Sequence, residues 1–153
     1  SIWDIGCYPI SYARMLVGAE PVEVFGWQVQ GPSGSDESFI GQIKFENGVH
    51  AQFDCGFKSP PRSYMEIVGS EAILKIPVPF KPGPKSEIEL IRAGNSEIIK
   101  IKGQEVYLGE VEDMCDAITK NKPPRVSLAD SRGNISTILA LLESAREGKK
   151  VSF

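Results

Sequence analysis

Histidine occurs once in this sequence, at His50, and cysteine three times, at Cys7, Cys55 and Cys115. One histidine leaves no His-rich metal cluster, and a Ser-His-Asp triad would have to be built on that residue. His50 falls on the polar side of the run Val49-His50-Ala51-Gln52-Phe53, where a structural or solvent-facing role is expected. The cysteines are odd in number, far apart and without C-x-x-C spacing. That argues against a disulfide scaffold and a zinc site, leaves no metal site, and fits a reducing, cytoplasmic compartment. They are expected as small buried apolar residues. No apolar run reaches the roughly 18 residues of a membrane helix. No G-x-G-x-x-G follows a strand, and no G-x-x-x-x-G-K-[ST] occurs. Gly31-Pro32-Ser33-Gly34 lies between strands, so this chain alone is expected to bind no dinucleotide. Lys+Arg 17 against Asp+Glu 20 gives a net charge of -3, which leaves no basic stripe for nucleic acid.

What is present is ordinary globular material. The chain has 153 residues, of which 41% are hydrophobic and 24% charged. That is one domain's length and enough to build a core. It opens Ser1-Ile2-Trp3-Asp4-Ile5-Gly6, without Met and without a loose polar lead, which reads as a cut inside a longer protein.

Ile5, Tyr8, Tyr12, Met15 and Leu16 repeat at helical spacing, with Gly18 as a stop. Pro9 must sit in the first turn or kink a helix that begins near Asp4. Strands are expected over 22–30, 39–46, 49–57, 64–68, 72–76, 86–92 and 96–102. Residues 31–38 read as a loop, Asn47-Gly48 as a hairpin turn, and Gly94-Asn95 as a second hairpin. On the first strand Phe25, Trp27 and Val29 share a face. Helices follow over 110–120 and 128–147, the latter with a capping box at Ser127 and Asp130 and a stop at Gly148. Asn134-Ile135-Ser136 matches a glycosylation sequon but falls inside that helix. The expected fold is α+β: an open, mostly antiparallel β-sheet of about seven strands with helices packed on one face. The other face, with Val22, Val24, Ile40, Ile91 and Ile99 among its charges, is too apolar to stay bare and is expected to pair with another domain or a second copy.

The best candidate for chemistry is the segment Asp4-Ile5-Gly6-Cys7-Tyr8. Residues four apart share a helical face, so a carboxylate and a phenol stand together. A phenol titrates near 10 and needs a nearby cation to accept a proton at neutrality. No Lys or Arg lies in this segment. A helix-capping Asp beside a core Tyr satisfies the same spacing.

Trp3-Asp4-Ile5-Gly6-Cys7-Tyr8-Pro9, ending at Leu16-Val17-Gly18, resembles the motif that opens the C-terminal domain of the Gfo/Idh/MocA oxidoreductases. Glu66-Ile67-Val68-Gly69-Ser70-Glu71-Ala72 resembles that family's strand-turn-strand segment, with Ala72 where Gly is common. Leu128-Ala129-Asp130-Ser131-Arg132-Gly133-Asn134 and Leu142-Glu143-Ser144-Ala145-Arg146-Glu147-Gly148 resemble its closing helix. Many members have Asp and His four apart at the opening. Tyr at the second position is similar to the branch containing glucose–fructose oxidoreductase, dimeric dihydrodiol dehydrogenase and xylose dehydrogenases.

The resemblance implies a C-terminal substrate and oligomerisation domain over 1–153, with an N-terminal Rossmann domain that this chain lacks. NAD or NADP would be held in that other half, together with the lysine that supplies the missing cation. Tyr8 would take the proton of a sugar-like hydroxyl while the carbon-bound hydrogen leaves as hydride. Asp4 would orient the substrate or the tyrosine. Phe57 and Arg62, near the end of the third strand, are candidates for the substrate wall, against core packing for Phe57 and a solvated loop charge for Arg62. A homodimer or higher assembly through the sheet is implied. This chain alone is expected to be inactive. The alternative is a non-catalytic ligand-sensing or interaction module of the same fold.

Overall fold

A computed structural model describes residues 1–153. The elements run in order as a π-helical turn (Ile2–Gly6), α1 (Cys7–Val17), β1 (Pro21–Gln30), β2 (Asp36–Phe45), β3 (His50–Gly56), β4 (Met65–Val68), β5 (Ala72–Ile76), β6 (Lys85–Arg92), β7 (Asn95–Lys102), α2 (Leu108–Thr119), α3 (Leu128–Glu147) and β8 (Val151–Ser152). This is the expected α+β fold with antiparallel strands. The strands are grouped in two four-stranded sheets, and β8 is an eighth strand beyond the seven expected. Two compact units result: Ser1–Ser59 with Val126–Phe153, and Pro60–Arg125.

In the first unit the strand order is β3-β2-β1-β8. Strand β2 alternates cleanly, with Phe39, Gly41, Ile43 and Phe45 buried and Ile40, Gln42 and Lys44 exposed. The turn into β3 has three residues rather than the two expected. Phe45 N donates to Val49 O at 2.9 Å, and Gly48 takes the left-handed φ of 82° that such a turn needs. Strand β2 also begins earlier than its hydrophobic pattern suggests, at Asp36, so part of the expected 31–38 loop is strand.

The faces of β1 are the reverse of the expectation. Val24 is buried at 1% exposure, whereas Trp27 and Val29 are 51% and 63% exposed on the open side. The cause is α3, which packs on β1 too closely for a large side chain. Gly26 pairs with Gly41 on the inner face. A Cβ on Gly26 would stand 2.7 Å from the Leu141 carbonyl oxygen, and the Phe53 ring lies over Gly41. Ser144 Oγ accepts from Gly26 N at 3.1 Å and donates to Lys149 O at 2.5 Å, fastening the end of α3 to the sheet. Ile138, Ala140 and Leu141 of α3 complete the core with Ile2 and Ile10.

Both glycine stops hold: Gly18 and Gly148 close α1 and α3 in the left-handed conformation, φ 69° and 63°. Ser127 caps α3 by accepting from Asp130 N at 3.1 Å. The Asp130 carboxylate goes to Arg14 instead of reaching back to the cap.

The second unit is a meander, β4-β5-β6-β7. Its β6–β7 turn is Ala93-Gly94, with φ 47° and 79°, one residue earlier than the expected Gly94-Asn95. Ile91 pairs with Ser96 and Ile99 with Ile88, so Ile91 and Ile99 lie on opposite faces, not on one. Helix α2 buries none of its residues. Cys115 on it is exposed, contrary to the expectation for the cysteines, while Cys55 is buried and Cys7 half-buried.

Candidate active site on the opening helix

The first residues fold as one wide helical turn that leads directly into α1. Ser1 O accepts from Ile5 N at 2.8 Å and from Gly6 N at 3.2 Å. The wide turn sits just before Pro9, which has no N–H to give and whose ring needs room in the preceding turn. Both readings of Pro9 are thus partly met: the helical backbone starts at Ile2, and Pro9 occupies the first turn of α1.

Gly6 decides which way this segment faces. It is buried, and a Cβ there would stand 3.0 Å from Ile2 Cγ1 and 3.2 Å from both Cys55 Sγ and Phe53. With Gly6 against β3, Asp4 and Tyr8 point outward. Asp4 is exposed and Tyr8 is 52% exposed. Both residues singled out by spacing are exposed. Phe57 is exposed immediately after β3, the strand on which Gly6 packs, and its N–H donates to Glu37 O at 2.9 Å. The exposure rules out core packing for Phe57. Arg62 belongs to the second unit, in the segment before β4, and is exposed.

Cys7, between the pair, is a poor nucleophile. Burial first, and the Asp4 carboxylate second, push its thiol up from the usual range and keep it protonated. Cys55 is likewise raised, chiefly by burial.

Three polar ties that spacing did not reveal hold this outward face in place. The Asp36 carboxylate accepts from Ile2 N at 2.7 Å and from Ser1 Oγ at 2.5 Å. Asn134 Nδ2 of α3 donates to Cys7 O at 3.2 Å. Arg14, with a side chain only 3% exposed, makes a two-pronged bond to Glu20, at 2.7 and 2.6 Å. Its Nη1 lies 3.2 Å from Asp130 Oδ1, an ion pair without hydrogen-bond alignment. The bonded Glu20 raises the Arg14 guanidinium further, and Arg14 in turn lowers Glu20. No group of His, Cys, Asp and Glu residues could hold a metal ion. No helix is long and apolar enough to cross a membrane.

The sequence of residues 1–75 matches the family model described as GFO/IDH/MocA C-terminal domain. A D-xylose 1-dehydrogenase (NADP(+)) of Haloferax volcanii is 27% identical over 99% of this chain and 47% of its own length. Another, of Haloarcula marismortui, is 23% identical over 95% of this chain and 41% of its own length. Over residues 1–75, just under half of its length, the chain is thus similar to the C-terminal domain of the Gfo/Idh/MocA oxidoreductases. The crystal structure of aldose-aldose oxidoreductase from Caulobacter crescentus superposes with a TM-score of 0.89, covering 100% of this chain and 47% of that one at 21% identity, which shows the shared fold. The chain spans about half the length of the curated relatives it matches.

Proposed function

We propose that this chain is the substrate and oligomerisation domain of an NAD(P)-dependent oxidoreductase acting on an aldose or a related polyol, with Tyr8 as its acid/base. The observation that carries the reading is the outward pair Asp4 and Tyr8, held on one helical face by Gly6 packing inward. The relatives named for D-xylose and NADP(+) support the substrate class and the cofactor.

The nucleotide does not fit on this chain. The one strand-to-helix passage, β7 into α2, contains a single glycine, and at its end the Glu105 carboxylate accepts from Tyr107 N at 2.9 Å, where a phosphate would need a free donor. We place NAD or NADP in an N-terminal Rossmann domain outside this chain, which also provides the cation for the phenol. A nicotinamide held there would supply the acceptor for the carbon-bound hydrogen and its electron pair. The Tyr8 oxygen takes the hydroxyl proton as the carbonyl forms, and Asp4 orients the sugar or the phenol. Phe57 offers an apolar wall beside this face. The exposed Trp27, Val29 and Ile40, with the half-buried Phe25, on the open sheet face form the contact for a second copy, and a cytoplasmic location suits the free cysteines.

Tyr8→Phe in the intact protein tests the assignment. Turnover of D-xylose with NADP+ is expected to fall by about 10²- to 10⁴-fold, with KM nearly unchanged. Unchanged turnover refutes the role of Tyr8. If neither D-xylose nor any other aldose or polyol is turned over, the ligand-sensing alternative replaces the enzyme reading.

A further inference from the structure

Asn134 performs a task that neither spacing nor core packing explains. It lies on α3, yet its amide nitrogen donates to Cys7 O at 3.2 Å, across 127 positions of sequence. That oxygen belongs to the peptide bond joining Cys7 to Tyr8, so Asn134 grips the peptide plane from which Tyr8 projects. Neither the π-helical turn nor α1 has a side-chain cap from its own N-cap residue. Because the partner is a carbonyl, the amide orientation is fixed, with nitrogen toward Cys7 and Oδ1 away.

That orientation has a cost. Asn134 Oδ1 is buried without a hydrogen-bond partner, and a buried unpaired acceptor destabilises a fold. Stability alone would favour an apolar side chain of similar size. Asp130, four residues earlier on α3, reaches Arg14 on α1. Asp130 and Asn134 therefore dock two points of α1, seven residues apart, against one face of α3. Asp130 holds the far end of α1, and Asn134 holds the end that carries Tyr8.

We infer that Asn134 is a positioning residue for Tyr8, acting through the Cys7–Tyr8 peptide. This rests on the reading of Tyr8 as the acid/base. Small misplacements of a reacting group cost up to about a hundredfold in rate, and a turn released on one side moves its phenol by that kind of distance.

The test uses the intact protein with NADP+ and D-xylose, and three variants: Asn134→Leu, Tyr8→Phe and the double substitution. Asn134→Leu removes the grip and the unpaired oxygen together. The expected result is a urea midpoint equal to or above that of the parent, with kcat lowered by about tenfold or more and KM changed less than about twofold. In the Tyr8→Phe background Asn134→Leu is expected to have no further effect on kcat, because the group it positions is gone. A purely structural role predicts a lower midpoint and losses that multiply in the double variant, and either result overturns the inference. So does an unchanged kcat for Asn134→Leu when Tyr8→Phe is impaired. An unimpaired Tyr8→Phe instead refutes the acid/base reading itself. Amide exchange gives a readout independent of turnover: Asn134→Leu is expected to speed exchange at Ser11, whose N–H closes the turn at Cys7 O, by at least about fivefold, while Gly26 N–H is unchanged. Equal exchange at Ser11 shows that the bond grips nothing and ends the inference.

Discussion

Replacing Gly26 with Ala tests how the first unit is assembled. The added methyl would stand 2.7 Å from the Leu141 carbonyl oxygen and 2.8 Å from Phe39 Cζ. Carbon contacts are comfortable at about 3.5 Å or more, and one of the two neighbours is backbone, which cannot rotate away. Helix α3 must therefore retreat by about half an ångström or more. The 3.1 Å bond from Gly26 N to Ser144 Oγ then stretches to about 3.6 Å, beyond hydrogen-bond range. Overpacking costs about 1–3 kcal/mol and the lost bond about 1 kcal/mol. Restricting the unfolded chain returns about 0.4–1 kcal/mol. The net loss is about 2–3 kcal/mol, a fall of roughly 1 M in urea midpoint at an m-value near 2 kcal/mol/M. Trp3 and Trp27, the only tryptophans, both lie in this unit, so tryptophan fluorescence reads it directly. Ser144→Ala removes the same bond without crowding. Once Gly26→Ala has broken the bond, adding Ser144→Ala should cost less than it does alone. A midpoint shift below about 0.2 M, or strict additivity in the double variant, refutes the close approach of α3.

Two more predictions follow from the ties and the open face. Asp36→Ala leaves the buried donors of Ser1 and Ile2 unpaired and is expected to lower stability by about 3 kcal/mol by the same fluorescence assay, with turnover falling as the Tyr8 helix loosens. Trp27→Glu places a charge on the exposed apolar face beside Phe25, whose ring centroid is 4.3 Å away. It is expected to shift the intact protein toward monomer in sedimentation velocity while leaving the stability read from urea unfolding within about 0.5 kcal/mol of the parent. An unchanged sedimentation coefficient removes this face from the dimer reading.

What could be read in advance divides by the range of the interaction that decides it. The helix stops at Gly18 and Gly148, the Ser127 cap and the alternation of β2 depend on residues within a turn or a strand of each other, and all were legible. Asp36 was not, because its partners Ser1 and Ile2 are 35 and 34 positions away and nothing near it marks a carboxylate as a cap. Strand β1 misled for a related reason. Both its faces are apolar, and the larger set, Phe25, Trp27 and Val29, looks like the core. The deciding fact is how near α3 comes, and only Gly26 records it, as an apparent weakness in the strand. Asp4 and Tyr8 were visible as a pair, but spacing left a capping Asp and a core Tyr equally good. The resemblance attached a reaction to them, and the inward packing of Gly6 explains how they face out.

Helix α3 serves both the core and the proposed site. Its apolar residues Ile138, Ala140 and Leu141 supply the burial that any amphipathic helix supplies. Where the helix sits is set by three polar residues: Asp130 on Arg14, Asn134 on the Cys7 carbonyl and Ser144 on Gly26. None of them shows up in a hydrophobic pattern, because each is polar at a position that a distant partner makes inward. Burial is tolerant of small slides along a helix, whereas a hydrogen bond is lost within half an ångström. A helix docked only by Ile138 and Leu141 would hold the core and leave the first turn of α1 free to drift. Docked by these three as well, it fixes the sheet at one end and the Tyr8 turn at the other, which ties the geometry of the proposed site to the core of the same unit.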